Sequence, residues 1–154
     1  MYIIDTSVIS ALHKNYYRSR FPSLWEKFDA LIDDGQFASV REVLRELDDR
    51  GGDSFDWAKV NSNLFTIPNA KEGFFIASIY AVEHFQANIE KQKLLRGGHN
   101  ADPFLIARAA CLGGIVLTME QFKPNGAKIP NICKHFNVAC LDLRGFMEKE
   151  NWIF

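Results

Sequence analysis

The chain has almost no surplus of charge: 18 Lys and Arg stand against 19 Asp and Glu, for a formal net charge of -1. A surface built as a uniform polycation is thereby excluded, and any hold on nucleic-acid phosphate must come from a local cluster. Cysteine is scarce too. Cys111, Cys133 and Cys140 form no C-x-x-C pair and one is left over from any disulfide, so they read as reduced thiols in a cytoplasmic protein. Long apolar runs are also missing. No stretch approaches the roughly 18 apolar residues of a membrane span, and no basic segment leads into a secretory apolar core, so the expectation is a soluble chain with no membrane partner. With neither repeats nor low-complexity tracts, 154 residues of which 47% are hydrophobic are expected to form one domain over 1–154.

What is present is an alternation of short apolar runs and helical patterns. YII at 2–4 reads as a buried strand, and SVISALHK after it carries Val8, Ile9 and Leu12 at helical spacing. A second helix starts near Pro22, places Leu24, Trp25, Phe28, Leu31 and Ile32 on one face, and stops at Gly35. QFAS supplies a strand, VREVLRELDDR a helix ended by Gly51 and Gly52, and FDWAKV a further helical turn. GFFIASIYAVEHFQANIEKQKLL reads as one long helix, striped by Phe75, Ile79, Val82, Phe85 and Ile89, that ends at Gly97 and Gly98. DPFLIARAACLG is a helix with Asp102 at the N-cap and Pro103 at N1. GIVLT is a strand, IPNICKHF a short helix, VACLDL a strand, and 144–149 a final helix. Apolar strands alternating with helices predict an α/β fold, a three-layer α/β/α sandwich around a central, mainly parallel sheet.

Ligands of parallel sheets bind beyond the carboxyl ends of the strands. Asp5 ends the first strand, Asp102 opens a helix, and Glu120 follows GIVLT by two residues; Glu46 lies in the helix after QFAS, near the same edge. Four carboxylates at one point repel unless cations neutralise them, and an oxygen-only set suits Mg²⁺ or Mn²⁺, whereas the lack of paired His or Cys argues against zinc. Each acid also has a plainer explanation. Asp5 and Asp102 are in position to cap helices. Ser39-Val40-Arg41-Glu42 matches a capping box, which accounts for Glu42 but leaves Glu46, itself spaced to pair with Arg50. Glu120 reads equally as a solvated loop acid.

The order and context of the four acids resemble a known family. IIDTS, VLREL, ADPFLIARA and VLTMEQF are similar to the four acidic motifs of PIN-domain nucleases, and the resemblance spans nearly the whole chain. It maps the family's acids onto Asp5, Glu46, Asp102 and Glu120. The nearest pattern is a PIN-like branch with ADP, T-x-E and I-P-N-x-C segments, here IPNIC. Two departures from the VapC-type pattern stand out: Glu120 replaces the commoner Asp, and 71–96 replaces a shorter connection. The resemblance implies a metal-dependent endoribonuclease using Mg²⁺ or Mn²⁺, with Asp5 and Asp102 as primary metal ligands, Glu46 and Glu120 completing the site, and the hydroxyls of Thr6 and Thr118 orienting the carboxylates. It also implies RNA as substrate, the role of toxin in a type II toxin-antitoxin pair, an antitoxin partner and a homodimer. A PIN-like module that binds RNA or protein without cutting, and a phosphotransfer or receiver-type domain, are the competing expectations.

Cations for phosphate would come from Lys14, Arg18 and Arg20, from Arg41 and Arg45 beside Glu46, and from Lys123 and Lys128 after Glu120. Tyr16, Tyr17 and Phe21 interleave with the first group and either stack on bases or pack under a loop. Of the histidines only His99, three residues before Asp102, is placed to approach the acids.

Overall fold

In the computed structural model, which describes residues 1–154, the first apolar run is the middle of the sheet. Strand β1 (Tyr2–Ile4) is buried along its length and pairs on one side with β2 (Phe37–Val40) and on the other with β4 (Ile115–Leu117). Strands β3 (Phe65–Thr66) and β5 (Ala139–Leu141) close the two edges, giving the order β3-β2-β1-β4-β5 with every pairing parallel. A wholly parallel sheet must be covered on both faces. The cover is nine helices: α1 (Thr6–Asn15), α2 (Pro22–Asp33), α3 (Arg41–Arg50), α4 (Gly52–Val60), α5 (Ala70–Tyr80), α6 (Glu83–Leu95), α7 (Asp102–Leu112), α8 (Ile129–His135) and α9 (Leu143–Lys149). The result is the three-layer α/β/α sandwich that the alternation predicts. No helix is long and apolar enough to cross a membrane.

Three local expectations are corrected. The pattern over GFFIASIYAVEHFQANIEKQKLL is two helices, because the chain leaves helical geometry at Val82 (φ -85°, ψ 107°) between α5 and α6. The turn lets Ile79 and, after it, Phe85 and Ile89 all reach the core, with no Gly or Pro to announce it. The Ser39-Glu42 capping box does not form. Ser39 is fully buried in β2 and its hydroxyl donates to the Ile4 carbonyl of β1 at 2.8 Å, while α3 begins from Val40 without a side-chain cap. Finally, Ala101 and not Asp102 holds the N-cap position of α7, so Pro103 falls one residue further in.

One buried ion pair ties the layers together. Arg108 on α7 reaches Glu72 on α5, with Nη2 3.1 Å from Oε2, both side chains being about one-twentieth exposed. The same guanidinium donates to the carbonyls of Ser39, Thr66 and Ile67 and to the Thr66 hydroxyl. It thus fastens the ends of β2 and β3 to two helices. A charge so buried is tolerable because all its donors are used; removing its partner leaves it uncompensated. Glu72→Ala is expected to lower stability by about 3–5 kcal/mol, read as a fall in the urea midpoint. A loss under about 1 kcal/mol, the value of a surface pair, would show that the pair does not bind these layers.

Candidate active site

The sheet order reverses direction at β1: the chain moves outward through β2 and β3, then returns to add β4 on the other side. Such a switch point leaves a crevice beyond the carboxyl ends of the two central strands. Asp5 follows β1 there and Thr118 follows β4, the Asp5 amide continuing the ladder with a bond to the Leu117 carbonyl at 3.0 Å.

Asp5 is 5% exposed and its side chain makes no cap bond to α1. Its Oδ2 instead accepts from the Ser7 hydroxyl and from the Thr118 hydroxyl (2.9 Å), and Oδ1 carries no hydrogen bond. Glu46, on the buried face of α3, accepts from the Thr6 hydroxyl (2.5 Å) and from the Ala101 amide (3.0 Å). Asp102, 2% exposed at the start of α7, accepts from Arg96 at Oδ1, while Oδ2 is buried with no partner at all. Glu120 takes Arg96 on Oε1 and the Ile129 amide of α8 on Oε2, each within 3.2 Å. The four predicted acids are therefore brought together at one sheet edge. Thr6 and Thr118 both donate to carboxylates of the set.

The electrostatics carry the mark of that convergence. Burial raises the Asp5 carboxyl from 3.8 to about 6; the hydrogen bonds from Ser7 and Thr118 oppose the rise, and the charges of Glu120 and Glu46 add to it. Asp102 is pushed well above the ordinary carboxylate range, by burial first and then by Glu120, with Arg96 pulling it back. Both acids hold their protons more tightly in the folded state than in the unfolded chain.

Two residues that sequence reasoning passes over belong to the set. Ser7 links Asp5 to the Met119 amide, and was legible as the second hydroxyl of DTS. Arg96, at the end of α6, joins Asp102 to Glu120, each at 3.2 Å, and nothing in its sequence context marks it. Glu42 is also changed in standing: without a capping box it is 5% exposed, one turn from Glu46 on the same helix, with Oε2 unpartnered.

The proposed cations lie mostly elsewhere. Lys14, in the last turn of α1, and Arg18 and Arg20 just after it are exposed at the end of the helix far from Asp5, about 15 Å of helix away. Arg18 is engaged with Asp29 and lies 4.4 Å over the Trp25 ring. Tyr16 and Tyr17 both pack on Phe21. Arg41 pairs with Glu42, Arg45 is exposed on α3, and Lys123 and Lys128 follow Glu120 on the loop into α8. His99 turns toward Asp49, 3.7 Å away, and not toward the acids.

Beside Glu120 a cleft of ≈ 480 Å³ is lined by Thr118, Phe122, Cys133, Lys134 and Cys140, with the Lys134 ammonium 5.0 Å over the Phe122 ring. The largest cavity, ≈ 640 Å³ and lined by His13, Asp29 and Trp57 among others, contains none of the four acids. Cavity size does not locate the four acids here, two of which are bridged by the Arg96 guanidinium.

Nowhere do three Asp, Glu, His or Cys side chains already stand at metal-holding spacing. The donor set still fits a hard divalent cation: every donor is oxygen, Asp5 Oδ1 is free, and Asp102 Oδ2 is a buried acceptor with nothing to accept.

The chain belongs to the family described as a domain of unknown function (DUF4411), whose model matches residues 2–154. No curated protein and no solved structure matches it.

The raised Asp5 pKa fixes a sign. Well below pH 4 the group is protonated in both states and costs nothing; between about 4 and 6 the unfolded chain ionises while the folded state still holds the proton, and the loss, about 3 kcal/mol in all, is complete above 6. Asn can keep the acceptor for Ser7 and Thr118. Asp5→Asn is therefore expected to be more stable than the wild type at pH 7.5 and equal to it near pH 3, by thermal or urea unfolding at the two pH values. Equal stabilities at both would contradict the strain.

Proposed function

We propose that this member of the family is a metal-dependent endoribonuclease that hydrolyses RNA phosphodiester bonds with Mg²⁺ or Mn²⁺ and, on the PIN resemblance alone, that it serves as a type II toxin. The observation that carries the reading is the orphaned Asp102 Oδ2, buried without a partner where the charges of Asp5, Glu46 and Glu120 also bear on it. An unpaired buried carboxylate oxygen is costly, and a cation ligand is what it lacks. Asp5 and Asp102, which keep free oxygens, are the primary ligands in this reading. Glu46 and Glu120, each held from two sides, complete the cation's surroundings.

When bound, such a cation supplies polarisation of the phosphoryl oxygen and a more acidic water. The chain's own contribution is position. The Thr118 and Ser7 hydroxyls hold Asp5 by one oxygen, so its other oxygen faces the crevice. The Thr6 hydroxyl and the Ala101 amide fix Glu46, which ties α1, α3 and the start of α7 to a single geometry. The cleft beside Glu120 has room for a nucleoside, with Phe122 as a stacking face and Lys134 as a nearby charge.

A second reading, an RNA- or protein-binding module that does not cut, is favoured by one observation: Arg96 already neutralises Asp102 and Glu120. A receiver-type domain has less behind it, since Lys59, paired with Asp56, is the one lysine in an ion pair and no lysine reaches the acids. The expected result is cleavage of single-stranded RNA by the purified chain with Mg²⁺ or Mn²⁺, abolished by EDTA and reduced by orders of magnitude in Asp102→Asn. Binding of RNA without cleavage at any metal concentration would favour the second reading.

A further inference from the structure

Arg96 and Arg108 each hold carboxylates, but in different ways. Arg108 is 6% exposed and spends its donors on one carboxylate, three carbonyls and a hydroxyl. Arg96 is 33% exposed and divides its guanidinium among Asn100, Asp102 and Glu120, with all three contacts at 3.2 Å. The bonds from Arg108 to Glu72, at 3.1 and 3.3 Å, are no shorter, so what separates the two arginines is exposure and division: a bidentate fork grips one carboxylate, and Arg96 is split between two. Arg96 is thus the more exchangeable occupant.

Its place in the chain allows it to leave. Arg96 ends α6 immediately before Gly97 and Gly98, both with positive φ (69° and 90°), in a stretch where an added Cβ meets nothing within 4 Å. A third of its side chain is exposed, whereas Asp5, Glu46 and Asp102 are buried. Even with Arg96 present, Asp102 Oδ2 remains unsatisfied, so the guanidinium does not complete the site. A divalent cation held by Asp5 and Asp102 and completed by Glu120 would come within a few ångströms of the guanidinium, and two positive charges cannot share that place without strong repulsion.

The geometry points to Arg96 as an exchangeable residue: it stands in for the divalent cation at Asp102 and Glu120, is displaced when the cation binds, and then takes the phosphate of the incoming RNA at the mouth of the crevice. The second half follows from chemistry. A freed guanidinium on a glycine hinge beside the acids keeps its planar donors, and the anion arriving there is a phosphodiester, which guanidinium binds bidentately. The inference rests on the nuclease reading of the same site.

The test uses the full chain and Mn²⁺ alone, with free Mn²⁺ measured by electron paramagnetic resonance, followed by steady-state cleavage of a single-stranded RNA. Arg96→Gln is expected to bind Mn²⁺ about tenfold more tightly than the wild type, the equivalent of one charge-assisted bond no longer to be broken. In EDTA the variant is expected to melt lower, and added Mn²⁺ is expected to raise its Tm more than that of the wild type. In cleavage its KM for RNA is expected to rise, with Arg96→Lys recovering part of the loss. Equal Mn²⁺ affinity in wild type and Arg96→Gln overturns the exchange. Tighter Mn²⁺ binding with an unchanged KM overturns the phosphate role. Failure of the nuclease reading has a separate signature: wild type, Arg96→Gln and Asp102→Asn all bind Mn²⁺ equally weakly, which overturns both.

Discussion

Carboxylates repel, and the carboxyl edge of this sheet holds four of them close enough that the charges of three raise the proton affinity of the fourth. Much of the local structure is what makes that tolerable. Hydroxyls of Thr6, Ser7 and Thr118, amides of Ala101 and Ile129, and one guanidinium each satisfy an acidic oxygen, and apart from the adjacent Thr6 and Ser7 the donors come from separate stretches of the chain. Because the donors belong to β-strand ends and helix starts, the acids are held at fixed positions even though their mutual repulsion favours separation. Acids fixed in this way need not move to receive a cation; in the reading proposed above the group that moves is Arg96.

The two buried-side arginines show how one residue type is put to different ends. Arg108 is sealed between α5, α7 and the ends of β2 and β3, where complete satisfaction makes it a fastener. Arg96 is a third exposed, divided between two carboxylates, with two glycines after it. The fastener holds α7 against the sheet, and so holds Asp102 in the crevice; the rim arginine acts on Asp102 directly. The buried ion pair and an acid of the candidate site thus share one helix.

Much of the fold was legible because strand and helix periods are simple: YII, QFAS, GIVLT and VACLDL announce strands, and Pro22, Gly35 and Gly51 punctuate helices. What escaped was set by tertiary structure. The two-residue β3 has too little sequence to carry a period, and the bend at Val82 exists because Phe85 and Ile89 must return to the core, not because a breaker stands there. At the site, the four acids could be chosen from their places at element ends, together with the family resemblance. Ser39 looked like a cap but is a buried strand residue whose hydroxyl serves a neighbouring strand. Arg96 was illegible for a deeper reason: its partners are six and 24 residues away and meet it only when α7 and β4 are both in place.

The central claim is that the acidic edge is a divalent-cation site now neutralised by a guanidinium. Crystals of the chain grown with Mn²⁺, measured at a wavelength where manganese scatters anomalously, locate the ion directly. The account predicts an anomalous peak within ligand distance, about 2.0–2.2 Å, of oxygens from both Asp5 and Asp102, with the Arg96 side chain withdrawn from Asp102 and Glu120. A map with no peak at this edge and Arg96 still between the two carboxylates would contradict it.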